Sequence, residues 1–320
     1  MTMLFDLSVG NNRSGASPES LDVSAKVATA LGWRGVWVAD HLLPSWAETE
    51  DKPAPGAEHE WVLEALVSLT YMAARYDQLL LGLGVLVPPM RDAPLLAKEI
   101  ATLDYLSGGR VIAGVGIGGR LIGGEPVENT DEYTNLGKAD RLRVRGAYVD
   151  ETIALWRHLF SGRTDPFLGR FHELRNYAFE PTPPQGSQLP IVCGGHSPRA
   201  LARVATLCDG YIGTRWSPEE IGDAWPSVLE QARTAGRPSP SLSLLVPVRL
   251  GDQPGASFSL CGTAEDAIEG LLRYEDAGVD VVVTSFHSNM PEDIERETAR
   301  FHEAVVEPYR EASANRLKAN

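Results

Sequence analysis

Asp40-His41 is the dipeptide in this sequence best suited to moving a proton. Imidazole titrates close to neutral pH, so at a strand end that faces a cavity it serves as acid or base. Asp40 would orient it or accept from a ligand N–H; a loop histidine packed on Trp46 is the plain alternative. A second constellation is Gly194-Gly195-His196-Ser197-Pro198-Arg199, between an apolar run and a helix start. Backbone N–H groups, the positive helix end and Arg199 together make an anion site that suits a phosphate-bearing ligand. An ordinary glycine turn with a Ser cap remains open there. His196 reads as a loop residue or phosphate donor rather than a metal ligand, and Thr214 with Arg215 would extend the same site. Gly114, Gly116 and Gly119 match GxGxxG, but no helix follows them directly, so the dinucleotide fingerprint is disfavoured. Room for a flat ligand at Gly116 is the preferred reading. Gly82 and Gly84 sit in an apolar run, where close packing is favoured from spacing alone.

The elements that must position these residues alternate along the chain. Apolar runs at 4–10, 35–40, 79–87, 110–118, 190–194, 211–214, 242–250 and 279–286 predict strands. A helical pattern follows each, at 17–32, 59–76, 94–106, 138–161, 198–207, 218–235, 264–276 and 291–311. Ser17-Pro18-Glu19 is a typical helix opening, with Ser as cap, Pro in the first turn and an acid at the positive end. Eight βα units with continuous apolar strands predict a (β/α)8 TIM barrel, its strands covered on both faces. The chain reads as a single domain, with insertions after strands 2 and 4 and around helix 4. An open doubly wound sheet is the structural alternative. In a barrel the active site lies at the C-terminal strand ends, which is where Asp40-His41, Gly116, Gly194-Gly195 and Thr214 fall.

Composition excludes several classes. The 320 residues carry a formal charge of −14, which argues against nucleic-acid binding. No apolar run reaches the length of a membrane span. Cys193, Cys208 and Cys261 are widely spaced, without CxxC, so neither a zinc site nor a disulfide framework is indicated. The histidines show no metal-binding spacing such as HExxH. A cytoplasmic protein acting on a small molecule is expected.

Six stretches together resemble the luciferase-like monooxygenase superfamily: GVWVADHLL (35–43), LLLGLGVLVPPMRDAP (79–94), AKEIATLDYLSGGRVIAGVGIG (97–118), RGAYVDETIALW (145–156), PIVCGGHSPRALARVATLCDG (190–210) and GTAEDAIEGLLRYEDAGVDVVV (262–283). They occur in family order and span almost the whole chain. Asp40-His41-x-x-Pro44 is most similar to the branch that uses coenzyme F420, a 5-deazaflavin. The resemblance implies that His41 and Trp46 face the substrate and that Asp40 meets the cofactor, with Trp46 one residue further along than in the sugar-phosphate dehydrogenases. It implies a non-prolyl cis peptide at Gly84–Val85 behind the ring, the cofactor phosphate at Gly194-Gly195, and a homodimer. Those dehydrogenases place a Glu after the strand-four glycines; this chain has Gly119 there, so their proton-donor scheme and substrate do not carry over. The expected activity is hydride transfer between F420 and a small organic substrate. An FMN-dependent monooxygenase on the same fold is the runner-up. A flavin-binding barrel without chemistry, or an unrelated phosphate-binding barrel such as an aldolase, stands further off.

Overall fold

The computed structural model describes residues 2–12, 15–43, 62–122, 125–127, 130–251, 253 and 255–319. Eight parallel strands form the frame: β1 (Leu4–Ser8), β2 (Gly35–Val38), β3 (Leu80–Leu83), β4 (Val111–Val115), β5 (Ile191–Cys193), β6 (Gly210–Thr214), β7 (Ser241–Leu250) and β8 (Val281–Phe286). Each pairs with the next in order up to β6–β7. The β7–β8 pair and the β8–β1 pair close the barrel. The (β/α)8 expectation holds.

The helices that follow are α1 (Pro18–Ala30), α2 (Ala65–Ala73), α3 (Ala93–Ser107), α4 (Arg145–Phe160), α5 (Pro198–Leu207), α6 (Pro218–Thr234), α7 (Ala264–Asp276) and α8 (Pro291–Phe301). Local chemistry starts most of them. Ser17, Ser197, Ser217 and Thr263 each cap a helix by accepting a backbone N–H with the side chain. The chain continues past α8 through a π turn at His302–Val306 into a further helix, Glu307–Ala319. No helix among the described residues is long and apolar enough to cross a membrane.

Trp37, Ile112, Val192, Ile212, Val281 and Val283 fill the barrel interior, with Leu80, Val85 and Leu245 against them. Gly82 is a packing glycine, as expected: a Cβ there would lie 2.1 Å from Trp37 Cδ2. Asp6 on β1 is fully buried and accepts hydrogen bonds from Arg34 and from Trp37 Nε1.

The insertions depart from expectation in detail. The insertion after β4 holds two short antiparallel strands, Arg120–Ile122 and Glu125–Val127, and a short helix, Thr130–Asn135. The expected long helix over 138–161 is a 3-10 segment, Ala139–Val144, followed by α4. Arg141 in that segment is not on a solvated face. Its guanidinium donates to the carbonyls of Pro89 and Arg91 and lies over the Tyr148 ring. Leu260–Gly262 adds a short strand beside the end of β7 that periodicity did not signal.

Candidate active site

The C-terminal ends of β2, β3 and β4 bring together a chain of paired charges. Asp40 follows β2 and is buried. Its Oδ1 accepts from Arg91 Nη2 at 2.6 Å, and its Oδ2 accepts from the backbone N–H of Val87 at 3.2 Å. The same Arg91 nitrogen donates to Glu64 Oε1 at 2.8 Å. Glu64 also caps α2 through the N–H of Val67, so it sits in a structural role rather than at a reacting centre. Burial pushes the Asp40 carboxyl up to about 6 even though Arg91 beside it pulls the other way. The apolar surroundings therefore outweigh the ion pair.

His41 is half exposed, with Nδ1 at 3.3 Å from Glu132 Oε2. Glu132 belongs to the insertion helix Thr130–Asn135 and is buried. Its other oxygen accepts from the N–H groups of Leu42 and Leu43 at 2.6 and 3.1 Å. Burial opposes ionisation of Glu132, but His41 and these two N–H groups override it and hold the carboxyl below its ordinary value. The two carboxylates beside His41 are thus driven in opposite directions.

The Gly84–Val85 peptide is cis, where the resemblance places it. Val85 occupies space that glycines leave open at the next two strands. A Cβ at Gly116 would lie 2.7 Å from Val85 Cγ2, and one at Gly194 would lie 3.3 Å from Val85 Cγ1. Gly116 therefore makes room for the Val85 side chain.

Across the mouth, β5 and β6 build a different surface. Gly195 has φ of +111°, a conformation that side chains rarely adopt. Ser197 caps α5 through the N–H of Ala200. The His196 ring stacks on Trp216, with centroids 5.0 Å apart and planes 18° from parallel. Trp216 Nε1 donates to Tyr211 Oη, which in turn donates to the Gly195 carbonyl. Tyr274 Oη donates to the Trp216 carbonyl. These bonds fix the glycine loop from behind. Burial, with Arg215 nearby, lowers the His196 pKa and favours the uncharged ring. Its Nε2 is buried and has no hydrogen-bond partner among the described residues. Arg215 is exposed and has φ of +55°, which costs a non-glycine residue about 1–2 kcal/mol. Thr214, half buried, precedes it at the end of β6.

The structure therefore places Asp40, His41, Gly84, Val85, Gly116, Gly194, Gly195, His196 and Thr214 at the strand ends of one barrel mouth. Trp46 lies outside the described residues. Arg91, Glu132, Trp216 and Tyr211 were missed. Trp216 follows the Thr214-Arg215 pair directly and was within reach of sequence reasoning; Glu132 stands in a polar stretch without a motif. Among the described residues no group of His, Cys, Asp and Glu is arranged to hold a metal.

The luciferase-like monooxygenase family model matches residues 1–254. The F420-dependent glucose-6-phosphate dehydrogenase of Mycolicibacterium fortuitum is 29% identical over 250 residues, 77% of this chain and 69% of its own. Among solved structures, the coenzyme F420-dependent tetrahydromethanopterin reductase of Methanopyrus kandleri superposes with a TM-score of 0.73 at 17% identity, covering 97% of this chain and 100% of that one. A monooxygenase of Streptomyces bottropensis does so with 0.74 at 18%, covering 96% and 100%. With the family model matched over most of its length, this chain belongs to the luciferase-like monooxygenase family.

Proposed function

We propose that the protein is an F420-dependent oxidoreductase that moves hydride between the deazaflavin and a small organic substrate. The observation that carries this is the division of the mouth. On the β5–β6 side, the side-chain-free backbone of Gly194-Gly195 adjoins the capped start of α5, and the exposed Arg199 and Arg215 make no ion pair among the described residues. A phosphate with a further anionic tail fits such a surface, and the unpartnered His196 Nε2 offers it one more polar contact. On the opposite side stands His41, a proton carrier held by an acid. F420-dependent relatives over most of the chain support the same choice.

The cofactor supplies the hydride chemistry when bound. The protein's own residues do the rest. Gly194, Gly195, His196 and Thr214 would hold the phosphate end, and Val85 would form the surface behind the ring. His41 would take or give the substrate proton, and Asp40, through Arg91, ties the β2 loop to the loop after β3. Trp46, which shares the β2 loop sequence, is assigned to the substrate side by the resemblance. An FMN-dependent monooxygenase on the same fold is the second reading.

Titration of the apoprotein with F420 and, separately, FMN, read by tryptophan quenching, tests the choice. Micromolar F420 binding with much weaker FMN binding is expected. The reverse, together with O₂ uptake in the presence of reduced FMN, would replace the reading by the monooxygenase.

A homodimer belongs to the same proposal. Val67 on α2 and Leu95, Tyr105 and Leu106 on α3 are exposed to 68%, 57%, 59% and 66%, concentrating large apolar side chains on one helix pair. A groove of about 600 Å³ runs between the two helices. A cytoplasmic setting is also proposed; the three free cysteines fit a reducing compartment.

A further inference from the structure

Glu132 reaches the mouth from outside the barrel strands. Its helix, Thr130–Asn135, belongs to the insertion after β4. Tyr133 anchors that helix: it is fully buried, packs with Val87 and Met90, and donates its hydroxyl to the Ile117 carbonyl at 2.8 Å. The anchored carboxylate then divides its work. Oε1 accepts the two backbone N–H groups of Leu42 and Leu43, which holds the main chain of the β2 loop. Oε2 meets the imidazole. Capping a loop needs only the first oxygen, so the second contact calls for its own explanation. An ionised carboxylate is acceptor-only, and an acceptor at Nδ1 requires a proton on that nitrogen. Asp40 does not compete for the role, because its two oxygens are engaged by Arg91 and the Val87 N–H.

We propose that Glu132 is the positioning residue of His41: it holds the ring proton on Nδ1 and makes Nε2 the nitrogen that exchanges a proton with the substrate. The inference rests on the reading of His41 as the proton carrier. In the oxidative direction a substrate O–H bond breaks and its proton forms a bond to Nε2, while the O–H electron pair would become the second C–O bond as the C–H hydride leaves for the deazaflavin of the proposed function. The imidazolium so formed is stabilised by Glu132 through Nδ1–H. In the reductive direction the same proton returns to the substrate oxygen. The acid missing at Gly119 is thus met by one from the neighbouring insertion, acting through the histidine. Among the described residues, Asp40 on its own loop and Glu132 on the insertion helix interact electrostatically with His41.

Nitrogen-15 NMR of the full-length protein tests this, with the His41 signals assigned by their loss in His41→Ala. In the wild type, neutral His41 is expected to carry its proton on Nδ1. In Glu132→Gln, which keeps an acceptor for Leu42 and Leu43, that preference should disappear. The proton affinity of His41 should also fall about ten-fold there, because an opposite charge is removed. Turnover should drop while F420 affinity stays within about two-fold, since Glu132 acts on the proton and not on the phosphate side. Identical His41 signals in the two proteins, or a wild-type ring protonated on Nε2, would overturn the proposal. The wild-type tautomer decides by itself if Glu132→Gln does not fold. Failure of F420 to bind would remove the functional reading and leave the measured pairing standing, so the two failures are distinguishable.

Discussion

The two halves of the barrel mouth handle charge in opposite ways. On the β2–β4 side the described charges are matched: Arg91 lies between Asp40 and Glu64, and Glu132 meets His41. On the β5–β6 side, glycine backbone and an aromatic stack support Arg199 and Arg215, which face solvent without ion-pair partners among the described residues. A matched network fixes geometry and proton position, because each member's orientation is set by its neighbours. Unpaired cations beside a glycine backbone lower the cost of bringing in an anion. In the proposed function, proton handling belongs to the first half and cofactor anchoring to the second.

Removal of the proposed proton carrier should give the largest effect. His41→Ala is expected to lower turnover by about 10²–10⁴-fold, measured by the absorbance change of F420 with a substrate found by screening, and to leave F420 affinity nearly unchanged. Equal losses of affinity and turnover would mean that the halves are not separable. Next, the double variant Arg199→Ala, Arg215→Ala should weaken F420 binding by about 10–100-fold, as expected for two charge-assisted contacts. The wild-type affinity should fall with salt, and that of the variant should respond less. A salt-independent wild-type affinity would break the comparison.

The third effect is on stability and concerns Asp40. Its carboxyl is raised by burial from 3.8 to about 6, so the folded protein binds the proton more tightly than the unfolded chain. The corresponding stabilisation is complete below about pH 3.8 and is lost as pH rises through 6. Relative to wild type, Asp40→Asn should therefore gain stability as pH rises across this window, by at most about 3 kcal/mol. Denaturant midpoints at pH 4 and pH 7 check it, and a constant difference would mean that Arg91 neutralises the carboxylate fully. Glu132 runs the other way. Its carboxyl is lowered, so its contribution is present at neutral pH and disappears on acidification through its folded-state pKa.

Much of this site was legible before any coordinates. Asp40-His41, Gly194-Gly195 and Thr214 fall at strand ends because the apolar runs that precede them are unmistakable, and the barrel then dictates where their C-termini point. Gly116 was legible as a place where a side chain is not tolerated, but not as space for Val85, since that contact crosses between β3 and β4. The resemblance implies that Asp40 meets the cofactor; in the fold its carboxylate accepts from Arg91, a residue that sequence analysis did not single out.

The sequence by itself determined the order of strands and helices, because alternation, Ser and Thr caps and glycine turns act over a few residues. It determined as well which residue types lie at the mouth. Only the tertiary structure decided which of them meet. Asp40 and Arg91 are 51 positions apart, and His41 and Glu132 are 91 apart. Pairing over such distances leaves no periodic trace, because it depends on closure of the barrel and on the seating of Tyr133 beneath the insertion. Neither is a property of any short stretch of chain.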